Sequence, residues 1–267
     1  MDKKLNTEKE NVLVCISYNF RYDGDKGTRR AKHRLPLIIE RIKDLSPDIV
    51  GGQEAQSAHI AALRMALSPE YAIVYCYRQK PTLSRLHPEC SPILFKKEKF
   101  EMLSSGNFWL SETPDVMSKM PGAQNFRICT WVRLKEKTTG KTFFYYNLHL
   151  DFGPAQNKSL PVLLSRLDKK SPVLLGGDFN LSPLSDNYKM ITAELSDGRL
   201  ITPAEADKTT YHEYGHLKDV LDEHIDFIFY RGDIRPIEYA VLDDDENRWG
   251  KGVFASDHYP VLTKFVL

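Results

Sequence analysis

Short apolar, β-branched runs recur along the whole 267-residue chain, and they limit its possible folds more than any other feature. No repeat, low-complexity stretch or Pro/Gly/Ser-rich linker divides them into separate groups. We therefore predict a polar tail at residues 1–10 and a single domain at residues 11–267. A hydrophobic content of 42% is sufficient to fill a core of that size.

The order of the predicted elements indicates the fold class. The chain begins β-α-β-α, with strands at 11–17 and 48–53 and helices at 35–45 and 56–67. Its remainder is predicted to contain strands at 91–96, 99–110, 127–135 and 142–150, a hairpin turn at Thr139-Gly140, helices at about 155–169 and 185–195, and strands at 172–177, 225–231, 234–242 and 258–266. This order fits an α/β (α+β) fold: a four-layer sandwich of two mixed, mainly antiparallel sheets packed face to face, with helices outside.

The charge and the cysteine content limit the possible functions of the protein and the cellular compartments in which we expect it. With 37 Lys and Arg against 36 Asp and Glu, the formal charge of +1 argues against a globally basic nucleic-acid binder, so any affinity for phosphate must be local. No apolar stretch is long enough for a transmembrane segment. The four cysteines lack C-x-x-C spacing, which favours reduced thiols over disulfides. We expect a cytoplasmic monomer.

Polar side chains with catalytic potential recur at the ends of the apolar strands, where the strand would hold them rigidly. They are Asn19, Glu54, His149, Asp151, Asp178, Asn180, Asp226, Asp257 and His258. Oxygen ligands of this kind suit a hard cation, so we predict Mg²⁺, with Mn²⁺ as a possible substitute. A zinc site built from His149, His258 and a carboxylate is the less favoured alternative, because the histidines lack the spacing of common zinc motifs.

Taken singly, most of these residues have an ordinary structural explanation. The alternatives are an Asx turn for Asp178 and Asn180, a helix cap for Glu54, a core position for His149, and a surface turn for Asp257 and His258. Asp226 is harder to explain in that way. It lies between Ile225 and Phe227 in an apolar strand, where an ionised carboxylate is costly unless it has a partner.

The order of these motifs resembles that of the endonuclease/exonuclease/phosphatase superfamily, whose members include deoxyribonuclease I-like nucleases, abasic-site endonucleases, deadenylase-like enzymes, sphingomyelinases and inositol polyphosphate phosphatases. The segments that carry the resemblance are ISYNFRY, PDIVGGQE, NLHLD, GGDFN, HIDFIF and SDHYPV, reaching from residue 12 to the C-terminus. FWLSETPD (108–115) and RICTWV (127–132) are similar to blocks of a bacterial branch related to nocturnin and the deadenylases.

The resemblance, together with charge considerations, implies a role for each residue. Glu54 binds the metal with Asp257 and Asn19 nearby, and His258, polarised by Asp226, is the leading general base, with Asp178 as its rival. The further assignments are Asn180 orienting the water or phosphate, His149, held by Glu89, stabilising the transition state or assisting the leaving group, and Arg127 facing the substrate phosphate. Asn19 and Tyr211 are further candidates for contact with the substrate. A surface ion pair is the alternative for Arg127.

The sequence departs from the superfamily at His224, at Gly52 and at Phe20-Arg21, where abasic-site endonucleases have a second acidic residue. The last departure counts against abasic-site repair.

We predict a magnesium-dependent phosphoesterase acting on a nucleotide-containing or other small phosphoester, with single-stranded nucleic acid next. Four aromatic residues are candidates for stacking on a base, although core packing is the commoner role: Tyr18, Tyr22, Trp109 and Tyr211. The alternatives are a non-catalytic binding module of the same fold and a sphingomyelinase-like lipid phosphodiesterase.

Overall fold

The computed structural model describes residues 11–82 and 87–267, so the predicted tail at 1–10 lies outside the described range. The strands are β1 (Val12–Asn19), β2 (Ile49–Gln53), β3 (Tyr71–Val74), β4 (Ile93–Lys96), β5 (Phe100–Trp109), β6 (Ile128–Glu136), β7 (Thr142–His149), β8 (Val173–Asp178), β9 (Ser196–Asp197), β10 (Asp226–Arg231), β11 (Arg235–Val241) and β12 (Val261–Val266). The α-helices are α1 (Ala31–Leu45), α2 (Ser57–Leu67), α3 (Gly153–Arg166), α4 (Asp186–Thr192), α5 (Pro203–Ala206) and α6 (Asp245–Trp249).

Every predicted strand and helix is present, with shifted ends. Helix α1 begins at Ala31, four residues earlier than predicted, and therefore carries Pro36 within it rather than in its first turn. Strands β3 and β9 and helices α5 and α6 were not predicted. All four are short, with too few residues to show a clear hydrophobic period.

The strands form two six-stranded sheets with the same pattern of directions. Sheet I has the order β11-β12-β1-β2-β4-β3, and sheet II has the order β5-β6-β7-β8-β10-β9. One pair in each sheet is parallel, β1 with β2 and β7 with β8, and the other pairs are antiparallel. The predicted pair of mixed, mainly antiparallel sheets is confirmed.

Three apolar clusters define four layers. Ile38 of α1 and Leu63 of α2 pack on the outer face of sheet I, and Leu160 of α3 and Ile191 of α4 pack on the outer face of sheet II. Between the sheets lies a third cluster, with Cys15 among its members. The predicted sandwich with helices outside is confirmed. None of the described helices combines the length and the apolar character needed to cross a bilayer.

Glycines allow the two sheets to approach closely next to the strand ends. A Cβ atom at Gly51 in β2, or at Gly176 in β8, would lie 2.6 Å from the hydroxyl oxygen of Tyr145 in β7. Beside this contact, Gln53 Nε2 donates to Asn147 Oδ1 across the sheets at 2.8 Å. Small residues and a buried hydrogen bond thus hold the ends of β2, β7 and β8 against each other.

Strand direction then determines where the polar residues meet. Asn19, His149 and Asp178 are the last residues of β1, β7 and β8, and Glu54 directly follows β2. Asp226 is the first residue of β10, which runs antiparallel to β8 and pairs it with Asp178. Strands β1, β2, β7 and β8 therefore end, and β10 begins, at the same edge of the sandwich.

Candidate active site

A cavity of about 660 Å³ opens at this edge of the sandwich. Nine of the predicted site residues line it: Glu54, Glu89, Arg127, His149, Asp178, Asn180, Tyr211, Asp257 and His258. The other two, Asn19 and Asp226, lie behind its wall, where they hydrogen-bond to Asp178 and His258. The structure therefore brings all eleven residues together.

Asp178 lies at the centre of the site. Its Oδ2 accepts a hydrogen bond of 2.9 Å from Asn19 Nδ2, and it lies 3.4 Å from His149 Nε2 and 3.8 Å from His258 Nε2. Its Oδ1 accepts from the backbone N–H of Asn180 at 3.0 Å, which is the Asx turn considered as a purely structural alternative. The turn therefore coexists with a role in the cavity.

The surroundings of Asp178 shift its pKa to near neutral pH. Burial and the neighbouring carboxylate of Asp226 raise the pKa of Asp178 to about 7. A carboxylate with such a pKa is largely ionised slightly above neutral pH and still basic enough to accept a proton there. Asp178 has the proton affinity expected of a general base.

His258 has a different electrostatic environment. Its Nδ1 lies 2.9 Å from Asp226 Oδ2, the predicted partner. Burial disfavours the charged imidazolium, but Asp226, followed by Asp178 and Asp257, raises the pKa of His258 to about 10. At neutral pH the ring is then protonated, which suits it to stabilise negative charge. This environment favours Asp178 over His258 as the base.

His149 is neutral and has a free nitrogen. Burial lowers the pKa of His149 well below its usual range, and the guanidinium groups of Arg127 and Arg78 lower it further. Its Nδ1 is buried without a hydrogen-bond partner among the described residues. His149 Nδ1 therefore does not donate to Glu89 as expected, and Glu89 Oε1 accepts from Arg78 Nη2 at 2.6 Å. His149 is therefore not a fully satisfied core histidine.

Glu54 and Asp257 add two carboxylate groups to the cavity lining. Glu54 has a φ of 57°, a left-handed conformation that is uncommon for a residue with a side chain and often marks functional sites. Its Oε2 accepts from the backbone N–H of Tyr22 at 2.9 Å, and it does not cap α2, whose N-cap is Gln56. Burial raises the pKa of Asp257. Two partly desolvated carboxylates beside the Asn19 amide fit a hard divalent cation.

Two other groups have metal-like spacing. The ligand atoms of Glu54, Glu89 and His149 lie within 4.8 Å of one another, as do those of Asp178, Asp226 and His258. In the first group Glu89 is already neutralised by Arg78. In the second, Asp226 and His258 are hydrogen-bonded to each other. Asp257 also has a charged partner, Arg21 Nη1 at 3.2 Å, so the choice of Glu54 and Asp257 as cation ligands rests on the resemblance and on their oxygen donors.

Arg127 is a buried cation rather than a surface ion pair. It is 4% exposed, and its Nη2 lies 3.5 Å from Asp151 Oδ1. Its Nε and Nη1 are buried with no hydrogen-bond partner among the described residues. A guanidinium with free donors at the cavity is suited to an anionic oxygen of a substrate.

The four aromatic residues that were candidates for stacking on a base lie in different parts of the structure. Tyr22 and Tyr211 line the cavity, and the ring of Tyr211 lies 5.0 Å from that of His258. Tyr18 is fully buried in the core, and Trp109 donates its Nε1–H to the carbonyl oxygen of Arg78 outside the cavity lining. Tyr22 and Tyr211 can therefore stack on a base in the cavity, whereas the buried Tyr18 cannot.

The cavity also contains residues that the sequence did not identify as site residues. Arg21, noted only as a departure from the superfamily, lies 3.2 Å from Asp257 through its Nη1. Arg78 and Asn125 line the wall near Glu89 and are joined by a hydrogen bond of 3.4 Å. Position 21 could have been found as a basic residue directly after the Asn-containing strand, whereas Arg78 and Asn125 lie in no recognisable motif.

Comparison with known proteins agrees with this geometry. Residues 16–258 match the sequence model of the Endonuclease/Exonuclease/phosphatase family. A solved structure of an endonuclease/exonuclease/phosphatase from Bacteroides vulgatus is 28% identical with a TM-score of 0.85, over 97% of this chain and 100% of that chain. A mannosyl-6-phosphatase from Bacteroides thetaiotaomicron VPI-5482 is 29% identical with a TM-score of 0.82, over 96% and 100% of the two chains.

The human nocturnin catalytic domain with bound sulfate is 19% identical with a TM-score of 0.75, over 95% of this chain and 93% of that chain, which is a likeness of fold alone. No curated protein sequence matches the chain.

Proposed function

The chain belongs to the endonuclease/exonuclease/phosphatase family, and on that premise we propose that it is a magnesium-dependent hydrolase of small phosphate esters. One observation carries the proposal. The carboxylate of Asp178 contacts Asn19, His149 and His258 inside a single cavity that is also lined by the carboxylates of Glu54 and Asp257. Several strand ends thus deliver a base, neutral and charged donors, and metal ligands to one small volume.

In the proposed reaction Asp178 accepts a proton from the attacking water. Asn19 holds the Asp178 carboxylate by a hydrogen bond of 2.9 Å, so the base keeps one orientation. The His258 imidazolium, fixed by Asp226, stabilises charge that develops on the phosphate oxygens. His149, neutral and facing the same carboxylate, is placed to donate to a phosphate or leaving-group oxygen.

Glu54 and Asp257 would hold the cation, with Asn19 nearby as the amide ligand. A divalent cation in that position supplies Lewis-acid stabilisation of the phosphate oxygens. We propose Mg²⁺ because the donor set consists of oxygen atoms, with Mn²⁺ as a substitute. Asn180, whose Nδ2 donates to the Leu150 carbonyl oxygen at 2.9 Å, would orient the water or the phosphate from the rim.

The size of the cavity favours a small substrate. A volume of about 660 Å³ lies within the range typical of small-molecule sites, and the formal charge of +1 does not indicate a globally basic protein that would bind a long polyanion. The likeness to a mannosyl-6-phosphatase supports a sugar phosphate as the first substrate to test. A nucleotide is the second candidate, because Tyr22 and Tyr211 line the cavity with aromatic surface.

The test is a hydrolysis screen of the purified protein with Mg²⁺, Mn²⁺, Zn²⁺ or EDTA. The substrates are mannose 6-phosphate and other sugar phosphates, mononucleotides, p-nitrophenyl phosphate, bis-p-nitrophenyl phosphate, a single-stranded oligonucleotide and sphingomyelin. We expect phosphate release from sugar phosphates with Mg²⁺ and none from Glu54→Ala. Inactivity on every ester with every metal would overturn the proposal in favour of a non-catalytic module, and activity confined to sphingomyelin would favour a lipid phosphodiesterase.

The cellular compartment and the oligomeric state of the enzyme are also part of the proposal. Three of the four cysteines are buried and all four are free, which agrees with a reducing compartment. We propose a cytoplasmic monomer, which size-exclusion chromatography with light scattering and cell fractionation would test.

A further inference from the structure

Arg21 provides a rigid positive charge at the cavity wall. Its Nε and Nη2 donate to the two carboxylate oxygens of Asp25 at 3.0 and 3.2 Å, and Asp25 is held in turn by the hydroxyl of Tyr214 at 2.8 Å. The carbonyl oxygen of Arg21 accepts from Arg34 Nη2 at 2.8 Å. The backbone has a φ of 55°, so the surrounding structure maintains an uncommon conformation at this residue.

The turn that contains Arg21 contacts the proposed base and both carboxylates of the proposed cation site. Asn19 at its start binds Asp178, and the backbone N–H of Tyr22 at its end binds Glu54. Between them, Arg21 Nη1 lies 3.2 Å from Asp257 Oδ2. The guanidinium therefore lies beside the proposed cation site, and its side chain is 26% exposed.

The guanidinium retains donors for a ligand. Arginine has five N–H groups, and Arg21 uses two of them in hydrogen bonds to Asp25 while Nη1 faces Asp257. Arg78 and Arg127 differ from it because both are buried. Among the described residues that line the cavity, Arg21 is the arginine that combines a fixed orientation with partial exposure.

We propose that Arg21 binds the phosphoryl group of the substrate and makes the enzyme prefer phosphomonoesters to phosphodiesters. This inference rests on the proposed phosphoesterase function. A phosphomonoester carries a charge of about −1.5 to −2 at neutral pH, whereas a diester carries a single charge and lacks one terminal oxygen. If the cation takes one terminal oxygen, a monoester still offers two to a planar guanidinium, whereas a diester offers only one.

The experiment compares Arg21→Met and Arg21→Lys on p-nitrophenyl phosphate and bis-p-nitrophenyl phosphate at saturating Mg²⁺. Removing a hydrogen bond to a charged group should lower kcat/KM for the monoester by about 10- to 100-fold. We expect much less change for the diester, and an intermediate loss with lysine, which keeps the charge but not the planar fork. The matched control is Arg166→Met, which also breaks a two-pronged ion pair with an aspartate, Asp115, but lies outside the cavity lining.

Binding of inorganic phosphate and of dimethyl phosphate, measured by calorimetry on the same variants, gives a readout without turnover. We expect Arg21→Met to weaken phosphate selectively. Equal losses for both esters, or an unchanged monoester-to-diester ratio in Arg21→Met or Arg21→Lys, would refute the role of Arg21. If the wild-type protein hydrolyses neither ester, the proposed function fails, and the phosphate titration alone then decides whether Arg21 binds the phosphoryl group.

Discussion

Replacing Asp178 with asparagine should stabilise the folded protein while it removes activity. The reason is the raised pKa of Asp178, about 7 in the folded chain, since burial and Asp226 both disfavour its ionised form. Between the ordinary aspartate pKa of about 3.9 and this value, the folded protein binds more protons than the unfolded one. Its stability therefore falls as pH rises through this window, and above it the full penalty is present. Asparagine carries no such penalty.

The magnitude follows from the change in proton affinity. Raising a carboxyl pKa from about 4 to about 7 costs about 4 kcal/mol once the group is ionised, because a tenfold change in affinity is worth about 1.4 kcal/mol. The Asn19 amide and the Asn180 backbone bind different carboxylate oxygens, and asparagine keeps only one of these two positions as an acceptor, so one bond is lost at a cost of about 2 kcal/mol. A net gain of about 2 kcal/mol would raise Tm by about 4 to 8 °C.

The assay is calorimetric unfolding in EDTA at pH 8 and at pH 4.5, with the exposed Asp233→Asn as a matched control. Asp233 is 96% exposed, and its replacement should change the free energy of unfolding by less than about 0.5 kcal/mol. For Asp178→Asn the gain should appear at pH 8 and disappear at pH 4.5, while kcat falls about 10²- to 10⁴-fold. A variant less stable than wild type at pH 8, or a gain independent of pH, would refute this reasoning.

Further predictions concern four other features of the site and its supports. In the wild type, kcat/KM should rise with pH through about 7 as Asp178 ionises and fall near 10 as His258 loses its proton; a profile flat between pH 6 and 8 would contradict the assignment of the base. Asp226→Asn should lower the pKa of His258 well below 10, followed by NMR titration of the imidazole, and an unchanged pKa would show that Asp226 does not control it. Glu54→Ala should abolish the heat of Mg²⁺ binding with the circular dichroism spectrum retained, and retained binding heat would place the cation elsewhere. Gly51→Ala should destabilise the protein by about 1 to 3 kcal/mol in urea unfolding, because the new Cβ would meet Tyr145, and wild-type stability would show that the sheets can separate locally.

Much of the fold can be read from local sequence because the elements that build it are long and periodic. The alternating apolar runs and the helical faces predicted every long strand and helix, since burial of one face imposes its period on the sequence. The elements missed, such as β3 and β9, are held by their neighbours in the sheet. Short segments of this kind depend on tertiary pairing more than on their own propensity.

The residues of the site were also largely predictable, since a polar side chain at the end of an apolar strand is conspicuous in sequence. The partners of these residues could not all be predicted in the same way. The sequence paired Glu89 with His149, whereas the structure pairs Glu89 with Arg78, a residue from a segment without any motif. The sequence ranked His258 ahead of Asp178 as the base, and we propose the reverse order.

The sequence by itself determined which residues stand at the strand ends, because that depends only on local pattern and chain order. Only the tertiary structure decided the pKa values and the ion pairs of those residues. The carboxylate of Asp226 raises the pKa of both Asp178 and His258, and the turn after β1 places Arg21 against Asp257. Proton affinities and ion pairs depend on distances between groups far apart in the chain, and only the packed sandwich fixes those distances.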